Sequence, residues 1–401
     1  MLIGVLVLGV AIVAYNIGSR GAVAPTVEDL GTTTEKITEQ PVAQPDVTKT
    51  ETVNRPSVSS PGTNIPTQPS VGVSRAKEFV RPSGYLNIEK LTYRPNMNEL
   101  LMSDLIGKKV ILLDFWSMSC ISCERAHPYL NMWYEKYRNL GLEVVGIHAP
   151  RFAFEKEKNN IAKTLSRMGV IYPNIMDNNF ETWKAYGNKA WPYIYLVDIK
   201  GNIVYSKVGE GSMADVEKKI QSLLNERAAY LKQNISATLP ITSPANAVVL
   251  GKVRTPEIYF GTTRNGTFLA NAIAGKGGTQ DITPPLDTSL KDKIYFSGSW
   301  NFTPEYAESR TLKSSITLGY GAGEVYIVAG SGEMSRVRVL LDGQPLGARA
   351  GKDVKTEGEE TVMYIQDNRI YHVVSDKGGY GEHKLEIITD VGVQLYTVTF
   401  G

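Results

Sequence analysis

Residues 109–116 read Lys-Val-Ile-Leu-Leu-Asp-Phe-Trp, the turn Cys120-Ile121-Ser122-Cys123 follows four residues later, and beyond it Ala126, Leu130, Trp133, Tyr137 and Leu140 recur at helical spacing. A continuous apolar run of this length reads as a buried strand, and an apolar period near 3.6 reads as a helix with one face on a core. Residues 142–147 supply a second strand. Together they predict a βαβ unit, in which chemistry collects at the carboxyl end of the strand, and that is where the two cysteines lie. They are the only cysteines in 401 residues. Their spacing is too short to staple a fold and suits redox work. A zinc site needs two more ligands, and neither another Cys nor a paired His follows at finger spacing, so no metal and no cofactor is expected.

The chain is long enough for two or three domains, and 42% hydrophobic residues are ample for packed cores. Lys and Arg number 43 against 41 Asp and Glu, without blocks of like charge, which leaves nucleic acid no electrostatic handle. Residues 2–17 are apolar and would span about 24 Å as a helix, against a hydrocarbon core of ~30 Å. No basic residue precedes this run, and Pro25 spoils the cleavage site suggested by Ala22-Val23-Ala24, so residues 1–18 read as an uncleaved transmembrane anchor rather than a cleaved signal. Residues 19–78 are rich in Pro, Thr, Ser and Gln, with no aromatic between Tyr15 and Phe79, and read as a disordered tether. Residues 79–235 alternate strands and helices. Strands at 193–197 and 202–207 flank the hairpin turn Asp198-Ile199-Lys200-Gly201, and Ser212 with Asp215 predicts a capping box on a closing helix that reaches Leu231. Residues 240–401 carry short β runs at 324–329, 336–341, 369–374 and 394–400 between Gly-rich turns, the pattern of an all-β sandwich.

Only the thiolate attacks a disulfide, and an ordinary cysteine is mostly protonated at neutral pH. At the first turn of a helix, free N–H groups and the positive end of the dipole favour the anion. Cys120 is therefore the attacking sulfur, and Cys123, more enclosed, the resolving one. Asp114, six residues before Cys120, is an acid in an apolar strand: it either carries the Cys123 proton, its pKa raised by desolvation, or caps the strand end. His127 lies on the same helix, where a solvated position is the plain reading. Ser117, three residues before Cys120, suits the hydroxyl that helps a peroxidatic cysteine, which makes a thiol peroxidase the rival chemistry, although Leu113 stands where such enzymes carry a proline. Trp300, Tyr259, Tyr306 and Tyr326 have faces suited to sugar rings, so an envelope glycan-binding or anchoring protein is a third reading, with core packing the simpler account of these aromatics. Ile121-Ser122 places no histidine between the cysteines, which favours the disulfide form and a reductase.

The run from Asp114 to Cys123 resembles the active-site strand and turn of the thioredoxin superfamily. Pro128 matches the proline that kinks its active-site helix, and Trp191-Pro192 matches its cis-proline. The resemblance implies a thioredoxin fold, Asp114 as buried proton acceptor, Cys120, Cys123 and Pro192 as catalytic residues, and substrate contacts at Trp116, Ile121, Ser122 and Trp191. Gly84-Tyr85-Leu86-Asn87, Gly146-Ile147-His148-Ala149-Pro150, Phe152-Ala153-Phe154-Glu155-Lys156, Asp177-Asn178, Tyr186-Gly187-Asn188 and Gly209-Glu210-Gly211 narrow the resemblance to the soluble part of DipZ-type proteins. Thr255-Pro256-Glu257-Ile258-Tyr259-Phe260-Gly261 and Phe296-Ser297-Gly298-Ser299-Trp300 extend it through the final domain, which in that family resembles a carbohydrate-binding-module jelly roll. This implies a membrane-tethered, extracytoplasmic thiol-disulfide oxidoreductase, facing the periplasm or cell envelope and related to the cytochrome c maturation reductases. Its expected substrates are protein disulfides or haem-binding cysteine pairs. The multi-span domain that usually precedes the tether is not in this sequence, so a separate membrane electron donor of the CcdA type is expected, with an envelope glycan as a further candidate partner.

Overall fold

The computed structural model describes residues 74–91, 98–245, 247, 251–266, 268–289, 291–376 and 379–401. The expected anchor at 1–18 and nearly all of the tether lie outside the described residues; no helix among the described ones is long and apolar enough to cross a membrane. The α/β part runs β1 (Ser74–Arg75), β2 (Gly84–Leu86), α1 (Met102–Leu105), β3 (Val110–Trp116), α2 (Ile121–Tyr137), β4 (Leu142–His148), α3 (Lys158–Arg167), β5 (Asn174–Met176), α4 (Glu181–Tyr186), β6 (Tyr193–Val197), β7 (Asn202–Val208) and α5 (Met213–Tyr230). Its sheet order is β1-β7-β6-β3-β4-β5-β2, with β3, β4 and β5 parallel and the others antiparallel to their neighbours. This is the expected thioredoxin-like fold.

Central β3 has no polar alternation because helices cover both faces of the sheet. Val110, Leu112 and Trp116 share one core with Leu130, Trp133 and Tyr137 of α2 and Ile220 and Leu224 of α5. Ile111, Leu113 and Phe115 enter the opposite core with Leu105 and Trp183. By the two-residue period of a strand, Asp114 therefore points to the α2 side. Two local expectations are corrected. Ser212 adopts a left-handed conformation (φ 48°) in which its side chain makes no cap bond, so the capping box does not form. Residues 74–78, assigned by composition to the tether, already belong to the fold: β1 pairs with β7, and the Glu78 carboxylate accepts the Met102 and Ser103 N–H groups at the start of α1.

The C-terminal part is all-β: β8 (Ile258–Tyr259), β9 (Gly278–Ile282), β10 (Ile294–Phe302), β11 (Ala307–Ser309), β12 (Ser314–Ala322), β13 (Glu324–Ser331), β14 (Ser335–Leu341), β15 (Val354–Glu357), β16 (Glu360–Ile365), β17 (Arg369–Ser375), β18 (Gly381–Thr389) and β19 (Val393–Phe400). Strand β10 belongs to three ladders: residues 294–297 pair with β12, residues 298–302 pair with β9, and residues 300–302 also pair with β11. The corner is at Gly298, where φ is 88° and an added Cβ would sit 2.7 Å from Ser314 Oγ. Folding the sheet back here encloses one core that includes Phe296, Trp300, Leu318, Ile327 and Val339. The outward residues Tyr326, Val328, Ile370 and Tyr396 of β13, β17 and β19 join the core of the α/β part instead. The aromatics suited to sugar stacking are thus taken up in packing: Trp300 is fully buried, Tyr326 is buried, and Tyr259 and Tyr306 pack against the α/β core.

Candidate active site

Strand β3 ends one short turn before α2, and Cys120 is the N-cap of that helix. Its Sγ accepts a hydrogen bond from the Cys123 N–H at 3.1 Å, one of the donors that a helix start leaves free. The two sulfurs are bonded to each other. Cys120 is 6% exposed and Cys123 1%, so the first sulfur lies toward the opening and the second behind it. The opening is a cavity of about 290 Å³ lined by Cys120, Ile121, Ser122 and Trp191 from the α/β part and by Glu257, Tyr259 and Thr399 from the all-β part.

Asp114 is 1% exposed, and neither carboxyl oxygen has a hydrogen-bond partner among the described residues. Burial pushes its pKa up from 3.8 to about 7, because a desolvated carboxylate is costly. His127 corrects the solvated reading: it is 1% exposed, with Nδ1 at 2.7 Å from the Cys123 carbonyl oxygen and Nε2 at 4.0 Å from Asp114 Oδ2. Burial pulls this imidazole down to about 4, against weaker upward effects of the Cys123 carbonyl and Glu124.

The loop before Cys120 is held from below and from the side. Glu155, fully buried, accepts hydrogen bonds from Ser117 Oγ at 2.7 Å and from Ser119 Oγ, and its Oε2 lies 3.4 Å from His148 Nε2. Burial would raise this carboxyl, but the bonds from His148, Ser119 and Ser117 prevail and hold it below its ordinary value. The hydroxyl that a peroxidatic reading needs from Ser117 is thus committed to Glu155. Arg151 donates to the Ser119 carbonyl at 3.0 Å and reaches across to Glu257 at 2.7 Å and to the Tyr259 hydroxyl.

The Trp191–Pro192 peptide is cis. The Pro192 carbonyl accepts the Gly209 N–H at 2.9 Å, and the adjoining Glu210 Oε1 accepts from Ser122 Oγ at 3.0 Å and from Arg125 Nη1 at 3.1 Å. The cis-proline loop, the Gly-Glu-Gly turn and the cysteine turn are therefore tied together. Trp191, Ile121 and Ser122 border the cavity. Trp116 does not: it is 1% exposed, its indole N–H donates to Asn174 Oδ1 at 2.9 Å, and its ring lies edge-on to His127 and His148. It is a packing residue behind the site, because its position on β3 turns it toward the α2 core. No cluster of three or more metal-ligating side chains occurs among the described residues.

Residues 76–222 match the family described as Redoxin, and residues 255–401 match the thioredoxin like C-terminal domain. Thiol-disulfide oxidoreductase YkuV of Bacillus subtilis is 30% identical over 128 residues, which cover 32% of this chain and 86% of YkuV. This chain belongs to the thioredoxin-like thiol-disulfide oxidoreductases. Protein DipZ of Mycobacterium tuberculosis and of Mycobacterium bovis is 32% identical over 321 residues, 80% of this chain. The chain spans 42% of the length of those two relatives. Thiol-disulfide oxidoreductase ResA of Geobacillus thermodenitrificans is 27% identical over 134 residues, covering 31% of this chain and 74% of ResA.

Within this family frame, the residues that sequence reasoning did not assign to the dithiol site are Arg151, Glu155, Glu210, Glu257 and Tyr259, the last of which it read only as a sugar-stacking candidate. Glu155, Glu210, Glu257 and Tyr259 lie in stretches that carry the family resemblance, and Arg151 falls between two of them. What was missing was their partners: Glu155 meets Ser117 and Ser119 across 38 and 36 positions, and Arg151 meets Glu257 across 106. No local period reports contacts at such separations.

Proposed function

We propose that this chain is a membrane-tethered, extracytoplasmic reductase of protein disulfides or haem-binding cysteine pairs. Its catalytic domain spans 74–235, and a jelly-roll domain spans 240–401. The observation that carries the reading is Cys120 at a helix N-cap, its sulfur facing the Cys123 N–H within an open cavity, with Cys123 enclosed behind it. In the reduced protein the Cys120 thiolate attacks a substrate disulfide. One substrate sulfur leaves as a thiolate, and the other stays bonded to Cys120. Cys123 gives its proton to the Asp114 carboxylate, and the resulting thiolate attacks Cys120 Sγ. The second substrate thiolate leaves and the internal disulfide forms.

Asp114 suits this task because burial sets its proton affinity near neutral pH, where it can both take and return a proton. Trp191, Ile121 and Ser122 border the path by which a substrate cysteine reaches Cys120, and Pro192 follows Trp191 through the cis peptide. Two electrons must then return to the pair from a membrane donor of the CcdA type. The reductive direction rests on Ile121-Ser122, which offers no extra cation to a Cys120 thiolate.

The test uses the full chain. Wild type should reduce insulin disulfides with dithiothreitol as donor, and Cys120→Ser should not. Cys123→Ser should accumulate mixed disulfides that Cys120→Ser lacks. Absence of both insulin reduction and trapped adducts overturns the reading. A reduction potential above about −150 mV reverses the direction.

A further inference from the structure

Behind the cysteine turn lies a group of buried polar atoms without hydrogen-bond partners: both carboxyl oxygens of Asp114, Nε2 of His127 and the hydroxyl of Tyr172. Unpartnered buried polar atoms are uncommon in native proteins, and several facing one another mark either a bound water or a proton path. The tautomer of His127 follows from its surroundings. Nδ1 lies 2.7 Å from the Cys123 carbonyl oxygen, which can only accept, so Nδ1 carries the hydrogen. Burial disfavours the charged imidazolium, and Nε2 is then a bare acceptor. It faces Asp114 Oδ2 at 4.0 Å. That is too long for a direct hydrogen bond.

When Asp114 is ionised, two sets of lone pairs confront each other in a dry site. When it is protonated, its O–H dipole turns toward the Nε2 lone pair and the repulsion becomes an attraction. We propose that His127 is a positioning residue for Asp114: its bare Nε2, fixed by the Nδ1–H bond to the Cys123 carbonyl, turns a lone pair toward the carboxyl and so favours the form of Asp114 that has taken the proton from the Cys123 thiol. The step moves one proton, from Cys123 sulfur to Asp114 oxygen, and no electrons. His127 raises the affinity of Asp114 for that proton by stabilising the neutral carboxyl. The inference rests on the oxidoreductase reading and deepens it by adding a second group to the proton site of the resolving step.

Few other charges compete. Across the sheet, Asp114 is in register with Gly146 of β4 and Ile194 of β6, neither of which titrates. Tyr172, from the segment before β5, stays neutral, because burial and then the Asp114 charge both push its pKa well above the ordinary value. On α2 itself the titrating neighbours are Cys123 and, toward His127, Glu124. Trp116 closes the other side of the imidazole edge-on.

The test reads the Asp114 carboxyl directly, by carbon-13 NMR titration of the oxidised full chain without substrate. His127→Asn keeps a donor near Nδ1 and removes Nε2. Its Asp114 midpoint should fall by about one pH unit as the facing lone pair is removed. The pH midpoint for resolving a mixed disulfide on Cys120 should move down with it. His127→Phe, which carries neither nitrogen, should show the same fall and serves as the second variant if Asn unfolds the protein. An unchanged Asp114 midpoint in the folded variants overturns the inference, even if stability falls. Because the titration needs no turnover, an inert wild-type dithiol would refute the proposed activity without touching this result, and a static midpoint beside intact insulin reduction would refute only the role of His127.

Discussion

Asp114→Asn should make the protein more stable while slowing its chemistry, and the gain should depend on pH in a defined way. Asp114 is buried without hydrogen bonds to either oxygen, and its pKa stands at about 7 against 3.8 for an ordinary aspartate. At about 1.4 kcal/mol per pH unit, a rise of this size means that the ionised carboxyl costs the native state about 4 kcal/mol. The folded chain holds this proton more tightly than the unfolded chain, so the cost is absent below about pH 4. It accumulates as pH rises from there and is complete somewhat above pH 7. Asparagine cannot ionise and escapes the cost. Denaturant unfolding of the oxidised full chain should therefore show variant and wild type nearly equal at about pH 4, with the variant ahead by about 4 kcal/mol at about pH 8. In the same variant, resolution of a mixed disulfide on Cys120 should slow by a factor of about 10²–10⁴, as for loss of a general base. A stability gap that stays constant from acid to alkaline pH would refute the assignment of a neutral, buried Asp114.

Two further outcomes concern the frame of the site. Glu155→Gln should destabilise the protein by about 1–3 kcal/mol at neutral pH, by replacing charge-assisted bonds to Ser117 and Ser119 with neutral ones. Since the Glu155 carboxyl is held below its ordinary value, that advantage of wild type is present above the unfolded-state pKa and is lost as pH falls through the folded one; unfolding curves at neutral and acid pH check the closing gap. Tyr396→Ala should remove packing from Phe152 and Phe154, whose ring centroids lie 5.1 and 4.8 Å away. The expected cost is about 3–5 kcal/mol at the contact between the two parts. Faster proteolysis between residues 232 and 257, with the α/β part surviving, is the readout.

Much of this architecture was open to local reading. Strands at 193–197 and 202–208 and their hairpin turn follow from alternation and from Asp198, whose Oδ1 accepts the Lys200 and Asn202 N–H groups. The strand-to-helix passage at Cys120 follows from a change of apolar period. Trp116, His127 and Ser212 did not behave as expected, each for a tertiary reason. Trp116 and His127 are claimed by the core that α2 shares with β3, β4 and β5, and Ser212 follows a turn whose Gly209 is tied to Pro192.

Periodicity records which side of an element meets the core, and the sequence by itself therefore determined the strand, the cysteine turn, the helix behind it and the β-rich character of the last part. It also placed an acid where a buried strand would desolvate it. Only the tertiary structure decided what those residues face: the apolar outer face of β13, β17 and β19 against the α/β core, Arg151 between the cysteine loop and Glu257, Glu155 beneath Ser117 and Ser119, and His127 between Cys123 and Asp114. The reason is physical. Secondary structure is set by neighbours a few residues apart, whereas desolvation and charge pairing depend on which distant segments the packed chain brings within a few ångströms.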